Sequence, residues 1–178
     1  MKTAVLVIDV QQGLCEGAHA MFESQRVIDR INEVSAKARA AGAPVIFVQH
    51  ESPSGDFEFE SPTWQLAGGL NVEATDLRVR KTTCDSFHRT DLQELLGARA
   101  ITDLVVCGMQ TEFCVDTTVR RALALGYPIA LVADAHTTEN SRHFSAAQII
   151  QHHNDTLANI DSFGARVRAV PAGALRLE

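Results

Sequence analysis

The sequence predicts a three-layer α/β/α domain in which a six-stranded parallel sheet carries helices on both faces. Two observations predict it. Short apolar, β-branched runs alternate along the chain with segments whose apolar residues recur at helical spacing, as strand–helix–strand crossovers require. The chain has 178 residues and is 46% apolar, enough for one well-packed core and too short for two full domains. Residues 1–178 are therefore read as a single domain.

The elements follow in order. Ala4-Val5-Leu6-Val7-Ile8 runs into Asp9 and makes residues 3–9 the first strand. Val27, Ile31, Val34 and Ala38 recur at helical spacing until Gly42 and Pro44 end the helix. Residues 44–49 form the second strand. Residues 51–70, with Pro53, Gly55, Pro62, Gly68 and Gly69, are the longest weakly patterned stretch; loops of that length are usually functional, and this one is the natural pocket wall. A third strand at 76–80 precedes a short helix at 91–96 and a fourth strand at 103–107. Val115, Val119, Ala122 and Leu123 mark the next helix, ended by Gly126 and Pro128. The fifth strand is 129–133, the C-terminal helix 145–160 with Ser145 as its N-cap, and the sixth strand 166–170. The arrangement is Rossmann-like. Right-handed crossovers bring the carboxyl ends of all strands to one edge, where ligands of open α/β sheets bind. At that edge stand Asp9, the Gln49-His50-Glu51 trio, Lys81, residues 108–114, Asp134 and His136.

A net charge of -6 without any run of like charges argues against nucleic acid as a partner. No stretch approaches the roughly 20 apolar residues that span a bilayer, so no membrane partner is expected. The first apolar run is too short and too soon acidic for a signal peptide, and a cytoplasmic location is expected. The four cysteines, at 15, 84, 107 and 114, show neither C-x-x-C pairing nor zinc-ligand spacing and should be free thiols. Cys107 ends an apolar strand and should be buried and inert; Cys84 is assigned no role.

Cys114 opens a helix, where unpaired backbone N–H groups and the helix dipole lower a thiol pKa and favour the thiolate. Asp9 sits where a buried strand surfaces, a costly place for an unpaired carboxylate. Lys81 ends the third strand on the same edge. Singly, each has an ordinary explanation: a small buried side chain, a turn residue, a solvated edge. Together they supply a nucleophile, a base for its proton and a cation for the resulting charge, with the helix N-terminus as an oxyanion site.

The string Val106-Cys107-Gly108-Met109-Gln110-Thr111-Glu112-Phe113-Cys114-Val115 resembles the nucleophile motif of the isochorismatase-like cysteine hydrolases, which include nicotinamidases and N-carbamoylsarcosine amidohydrolase. Val7-Ile8-Asp9-Val10-Gln11 and Val79-Arg80-Lys81 resemble that family's aspartate and lysine motifs, in the family's order. The resemblance extends to Gly126-Tyr127 and Leu131-Val132-Ala133-Asp134-Ala135, and so covers nearly the whole chain.

It implies Asp9 as general base, Lys81 as the orienting and polarising residue, and Cys114 as the nucleophile of a thioester route. It also implies a cis peptide at Met109-Gln110, an oxyanion hole from the backbone N–H groups of Gln110 and Cys114, and a homodimer or homotetramer. Where nicotinamidases carry an Asp-x-His metal motif, this chain reads Gln49-His50-Glu51, without the first ligand. Adjacent residues on an extended segment face opposite ways, so neither a metal nor another cofactor is expected. Gln11, His50, Trp64, Phe87 and Phe113 are candidate substrate-binding residues, the Trp64 and Phe87 rings being suited to stacking on a flat substrate. The resemblance gives His136 a structural place, and His152-His153 read as surface or subunit-contact residues.

The expected activity is metal-independent hydrolysis of a small amide, ureido or similar C–N bond. Two alternatives stand beside it. A vinyl-ether hydrolase of the isochorismatase type needs no nucleophilic thiol at position 114. A redox-sensitive binding module would leave Asp9 and Lys81 without a purpose.

Overall fold

The computed structural model describes residues 2–177. Six strands, β1 (Thr3–Ile8), β2 (Val45–His50), β3 (Leu77–Lys81), β4 (Asp103–Met109), β5 (Ile129–Thr137) and β6 (Val167–Val170), pair in parallel in the order β3-β2-β1-β4-β5-β6. The α-helices are α1 (Gln12–Cys15), α2 (Ser24–Ala40), α3 (Leu92–Ala98), α4 (Asp116–Ala124) and α5 (Ala146–Ala158). A wide π-type turn, Thr111–Val115, runs directly into α4.

Both faces of the sheet are covered, and the strands show why. Val5 and Val7 of β1 pack with Phe47 and Val105 against Ile31, Val34 and Ala38 of α2. The alternate residues Leu6 and Ile8 pack with Ile46, Val106 and Leu131 against Leu92, Leu96, Val119, Leu123 and Leu157 on the other face. A strand buried on two sides reads as an unbroken apolar run, which is what residues 4–8 are. Each fully buried Leu or Ile contributes about 1.5–3 kcal/mol of transfer free energy, and α2 and α4, on opposite faces, are held to the sheet mainly by such contacts.

The sequence-predicted strands and main helices are present, with two informative differences. β5 continues to Thr137, four residues past its predicted end, because the β4–β5 register shifts between Val106–Leu131 and Gly108–His136. The bulge lets polar Asp134 and His136 remain in a strand that an apolar-run criterion stops at Ala133. β4 likewise runs on through Gly108 to Met109. The predicted Ser145 cap is present as a reciprocal capping box with Gln148. Among the described residues no helix is long and apolar enough to cross a membrane.

β1 and β4 are neighbours whose following helices leave toward opposite faces, so their carboxyl ends frame the crevice of the fold. Gly108 sets how closely they approach. Its φ is +121°, and a Cβ there would stand 2.1 Å from the Ile8 carbonyl oxygen. Backbone blocks backbone, with no flexible side chain to yield. Gly108→Ala is therefore expected to destabilise the protein by about 3 kcal/mol or more. Urea denaturation measures this, and a loss under about 0.5 kcal/mol, the scale of an ordinary surface substitution, would show that the strand ends tolerate separation.

Candidate active site

β1 ends at Ile8, and Asp9 turns the chain through a left-handed conformation with φ of +52°. Asp is among the few residue types that tolerate it. The Asp9 N–H donates to the Val48 carbonyl at 2.8 Å, and the Asp9 carbonyl accepts from Gln11 N–H at 2.9 Å, so the turn is pinned on both sides. The side chain, 2% exposed, reaches across β2 to Lys81, the last residue of β3. The Lys81 ammonium has three hydrogens and three acceptors. It donates to Asp9 Oδ2 at 2.6 Å, to the Thr83 carbonyl at 3.1 Å and to Cys114 Sγ at 3.3 Å. Burial alone would push this ammonium down, but the charge and hydrogen bond of Asp9, with Cys114 beside them, hold it above the ordinary lysine value. The other carboxylate oxygen, Asp9 Oδ1, is buried and makes no hydrogen bond among the described residues.

Cys114 lies in the wide turn ahead of α4, half-buried. The turn is closed by Val115 N–H donating to the Gln110 carbonyl at 3.2 Å and by Asp116 N–H donating to Thr111 and Phe113. The Met109-Gln110 peptide is cis. Among the described residues, the Gln110 N–H has no hydrogen-bond acceptor, while its side-chain Nε2 donates to Met21 Sδ at 2.9 Å. The helix-terminus argument predicts a lowered thiol pKa; the structure reverses it. Burial first, and then the Asp9 carboxylate, push the Cys114 thiol well above the ordinary cysteine value despite the opposing Lys81 charge. The resting group is a thiol, set beside the carboxylate and ammonium of Asp9 and Lys81. Cys15 and Cys107 are pushed up to about 12, by burial in both cases with Glu16 adding to the first, and are inert.

The turn is anchored from behind by a network that sequence reasoning only partly found. Asn154 Nδ2 donates to the Ala133 carbonyl at 3.1 Å, so Asn154 Oδ1, 3.0 Å from His136 Nε2, accepts from that nitrogen. His136 Nδ1 is then the acceptor for the Thr111 hydroxyl at 2.9 Å, which fixes the tautomer by elimination. The ring is 1% exposed, and its pKa is lowered to about 4, chiefly by burial, so it is neutral at neutral pH. β5 and α5 thereby hold the first residue of the turn that carries Cys114. His136 was placed by resemblance alone and Thr111 only as part of the quoted motif; Asn154 carries no sequence signal that separates it from surface residues.

The candidate substrate residues divide. Gln11 is fully buried and works as a clamp: its amide nitrogen donates to the carbonyls of His50 at 3.0 Å and Trp64 at 2.8 Å. Its amide oxygen accepts from His50 N–H at 2.8 Å. His50 is half-buried with Nδ1 unpartnered, edge-on to Phe57, and burial followed by the Lys81 charge lowers its pKa, keeping it neutral. Trp64 stands edge-on to Phe59 at 5.0 Å with its indole nitrogen buried and unpartnered among the described residues. Residues 51–70 thus wrap the end of β1, bonded to it through Gln12–Gln65, Gly13–Thr63 and Val10–Ala67 backbone pairs. Phe87 is a correction. Its ring is 7% exposed and stacked on Tyr127 in the core beneath α3 and α4, because the chain after Lys81 turns inward there. Phe113 is 51% exposed and lines an apolar cavity of about 510 Å³ with Phe144, Ile149, His152 and His153.

Among the described residues, no group of three or more His, Cys, Asp or Glu side chains converges as a metal site would require. A cavity of about 640 Å³ lies at the opposite edge of the sheet, but its Arg39 is already paired with Asp76 at 2.7 Å and no cysteine or histidine lines it. The chemistry favours the Cys114 end.

The profile described as the isochorismatase domain matches residues 3–162. A streptothricin hydrolase of Streptomyces noursei is 41% identical over 136 residues, covering 76% of this chain and 49% of that protein. The chain therefore spans about half the length of that curated relative. A crystal structure of an isochorismatase family protein superposes with a TM-score of 0.85 at 38% identity, covering 94% of this chain and 97% of the other. The N-carbamoylsarcosine amidase of Thermoplasma acidophilum superposes with a TM-score of 0.78 at 25% identity, covering 95% and 96%.

Two outcomes follow from this geometry. Lys81→Met strands a buried carboxylate and should cost about 3–5 kcal/mol in urea denaturation, whereas Asp9→Asn/Lys81→Met should lose less than Lys81→Met alone. A double-variant loss equal to the sum of the separate Asp9→Asn and Lys81→Met losses would show that the pair is not energetically coupled. His136 acts with the opposite sign to a salt-bridged histidine. Its folded pKa of about 4 lies below the free value of 6.5, so the unfolded chain takes up the proton first as pH falls. Its contribution is intact above pH 6.5 and is lost toward pH 4, roughly 3 kcal/mol in all. His136→Gln should flatten the stability profile between pH 6.5 and 5, and an unchanged slope would assign the acid sensitivity elsewhere.

Proposed function

This chain belongs to the isochorismatase domain family, and on that premise we propose that it is a cysteine hydrolase that cleaves a small amide or related C–N bond through a thioester on Cys114. The observation that carries this reading is the single buried ammonium of Lys81 bonded at once to Asp9 and to the Cys114 sulfur, with Asp9 Oδ1 left without a partner.

In this reading Asp9 takes the thiol proton as sulfur attacks the carbonyl carbon. Lys81 holds the carboxylate in place and offsets the charge that builds on sulfur. The carbonyl oxygen, now negative, is received by the backbone N–H groups of Gln110 and Cys114. As the tetrahedral species collapses, Asp9 returns the proton to the leaving nitrogen and an amine departs. Water then attacks the thioester, giving its proton to Asp9, and collapse of the second tetrahedral species releases the carboxylic acid and restores the thiol. A raised thiol pKa suits this order of events, since the proton is moved when the substrate is present and not before.

The amidase among the structural neighbours supports a C–N bond as the target, and the streptothricin hydrolase supports hydrolysis. A vinyl-ether hydrolysis has no use for a sulfur 3.3 Å from an ammonium. His50 Nδ1 and Trp64 Nε1, unpartnered among the described residues, are the proposed contacts for polar groups of the substrate, with Gln11 holding both backbones and Phe113 at the rim.

Cys114→Ala should retain its fold by circular dichroism and lose at least about 10³-fold in kcat on any amide that the wild type hydrolyses. Asp9→Asn should lose about 10²–10⁴-fold. Intact-mass spectrometry of the wild type mixed with small amides should show an acyl adduct that Cys114→Ala lacks. Turnover that survives Cys114→Ala, with no adduct on the wild type, would overturn the thioester route.

A further inference from the structure

Cys84 has no part in the hydrolysis, yet the chain brings it to the nucleophile. It lies in the irregular turn after β3 and is exposed, whereas Cys15 and Cys107 are buried. Two contacts pin the backbone around it. The Thr83 carbonyl accepts at 3.1 Å from the same Lys81 ammonium that donates to Cys114 Sγ at 3.3 Å. The Cys84 carbonyl accepts at 3.3 Å from the hydroxyl of Thr118, which stands one helical turn beyond Cys114 and on the same face. Ser86 reinforces this with its own hydroxyl 2.9 Å from Thr118 Oγ1. Cys84 is thus bracketed by the ammonium that bonds Cys114 Sγ and by a hydroxyl of the helix that Cys114 leads into, and it lies near enough to act on the Cys114 thiol.

We propose that Cys84 is the resolving partner of Cys114, forming a reversible disulfide with it after a hydroperoxide oxidises the nucleophile. The proposal rests on Cys114 being the reactive thiol of the site. In the first step the Cys114 sulfur attacks the distal peroxide oxygen: an S–O bond forms, the O–O bond breaks, and sulfur loses two electrons to the peroxide. The thiol proton passes to Asp9 and then to the departing alkoxide or hydroxide. In the second step the Cys84 sulfur attacks Cys114–SOH; the S–S bond forms, the S–O bond breaks, and the Cys84 proton leaves with the hydroxyl group as water. The bridge needs Cα atoms about 4.4–6.8 Å apart, and residues 82–85 lie outside any helix or strand. Its value is protective, since an unresolved sulfenic acid goes on to the irreversible sulfinic and sulfonic acids. Cys15 and Cys107 do not compete, because both are buried, Cys15 with its thiol against Met109 Sδ and Cys107 with its thiol on the Leu6 carbonyl.

The test treats the reduced protein with a several-fold molar excess of hydrogen peroxide and reads intact mass, non-reducing peptide maps and turnover. Wild type should lose about 2 Da, yield a linked peptide containing Cys84 and Cys114, lose turnover, and regain roughly nine tenths of it with dithiothreitol. Cys84→Ser should turn over as wild type does before treatment, then gain about 32 Da or more and recover less than about a tenth of its activity. A wild type that gains the same oxygen mass without a linked peptide, or a Cys84→Ser protein that recovers equally well, overturns the proposal. Because the linked peptide is read by mass alone, this failure is distinct from that of the hydrolase reading, which falls only if Cys114→Ala retains turnover.

Discussion

Everything at the carboxyl edge of this sheet depends on keeping one ammonium dry. Lys81 is buried with its three hydrogens assigned to a carboxylate, a carbonyl and a sulfur. The desolvation of such a group costs several kcal/mol, and it is tolerated because the acceptors converge at hydrogen-bonding distance. That convergence is a property of the fold. β1 delivers Asp9, β3 delivers Lys81 and the turn after β4 delivers Cys114, three non-consecutive segments that a parallel sheet brings to one edge. The approach of β4 to β1 at Gly108 fixes the spacing between two of them.

The sheet, its order of elements and the three groups were legible in the sequence because each rests on a short-range signal. Residues 4–8 are apolar without interruption, and Asp9 breaks that run abruptly. What was not legible depends on partners distant in the chain. Phe87 looked available for a substrate because it follows Lys81 closely; only the position of Tyr127, forty residues on, shows that its ring is core. The extension of β5 was hidden by Asp134 and His136, whose polar side chains are accommodated by a bulge and by bonds to Thr111, Asn154 and the Ala172 N–H. The thiol pKa went the other way from expectation for a similar reason. A helix terminus is visible in a sequence, whereas the depth of burial and the nearness of a carboxylate from another strand are not.

The turn carrying Cys114 shows how far the supporting structure extends beyond the buried cluster itself. Thr111 is tied to β5 and α5 through His136 and Asn154, and Gln110 is tied to Met21 ahead of α2. Elements from both faces therefore meet at a five-residue segment. A nucleophile placed on a turn gains rigidity only from such cross-links, because the backbone of a wide turn has fewer regular hydrogen bonds than the helix it introduces.

Gln11 adds a different kind of consequence. One buried amide joins β1 to the start of residues 51–70 and, through Trp64, to their far end. This loop is thus fastened to the frame at its base, while the residues between the fastenings are bound mostly to one another. Such an arrangement separates what holds the buried cluster from what surrounds it. Residues between the two attachment points can differ in composition or length without touching the thiol, the carboxylate or the ammonium, and the same boundary marks where a designer would cut.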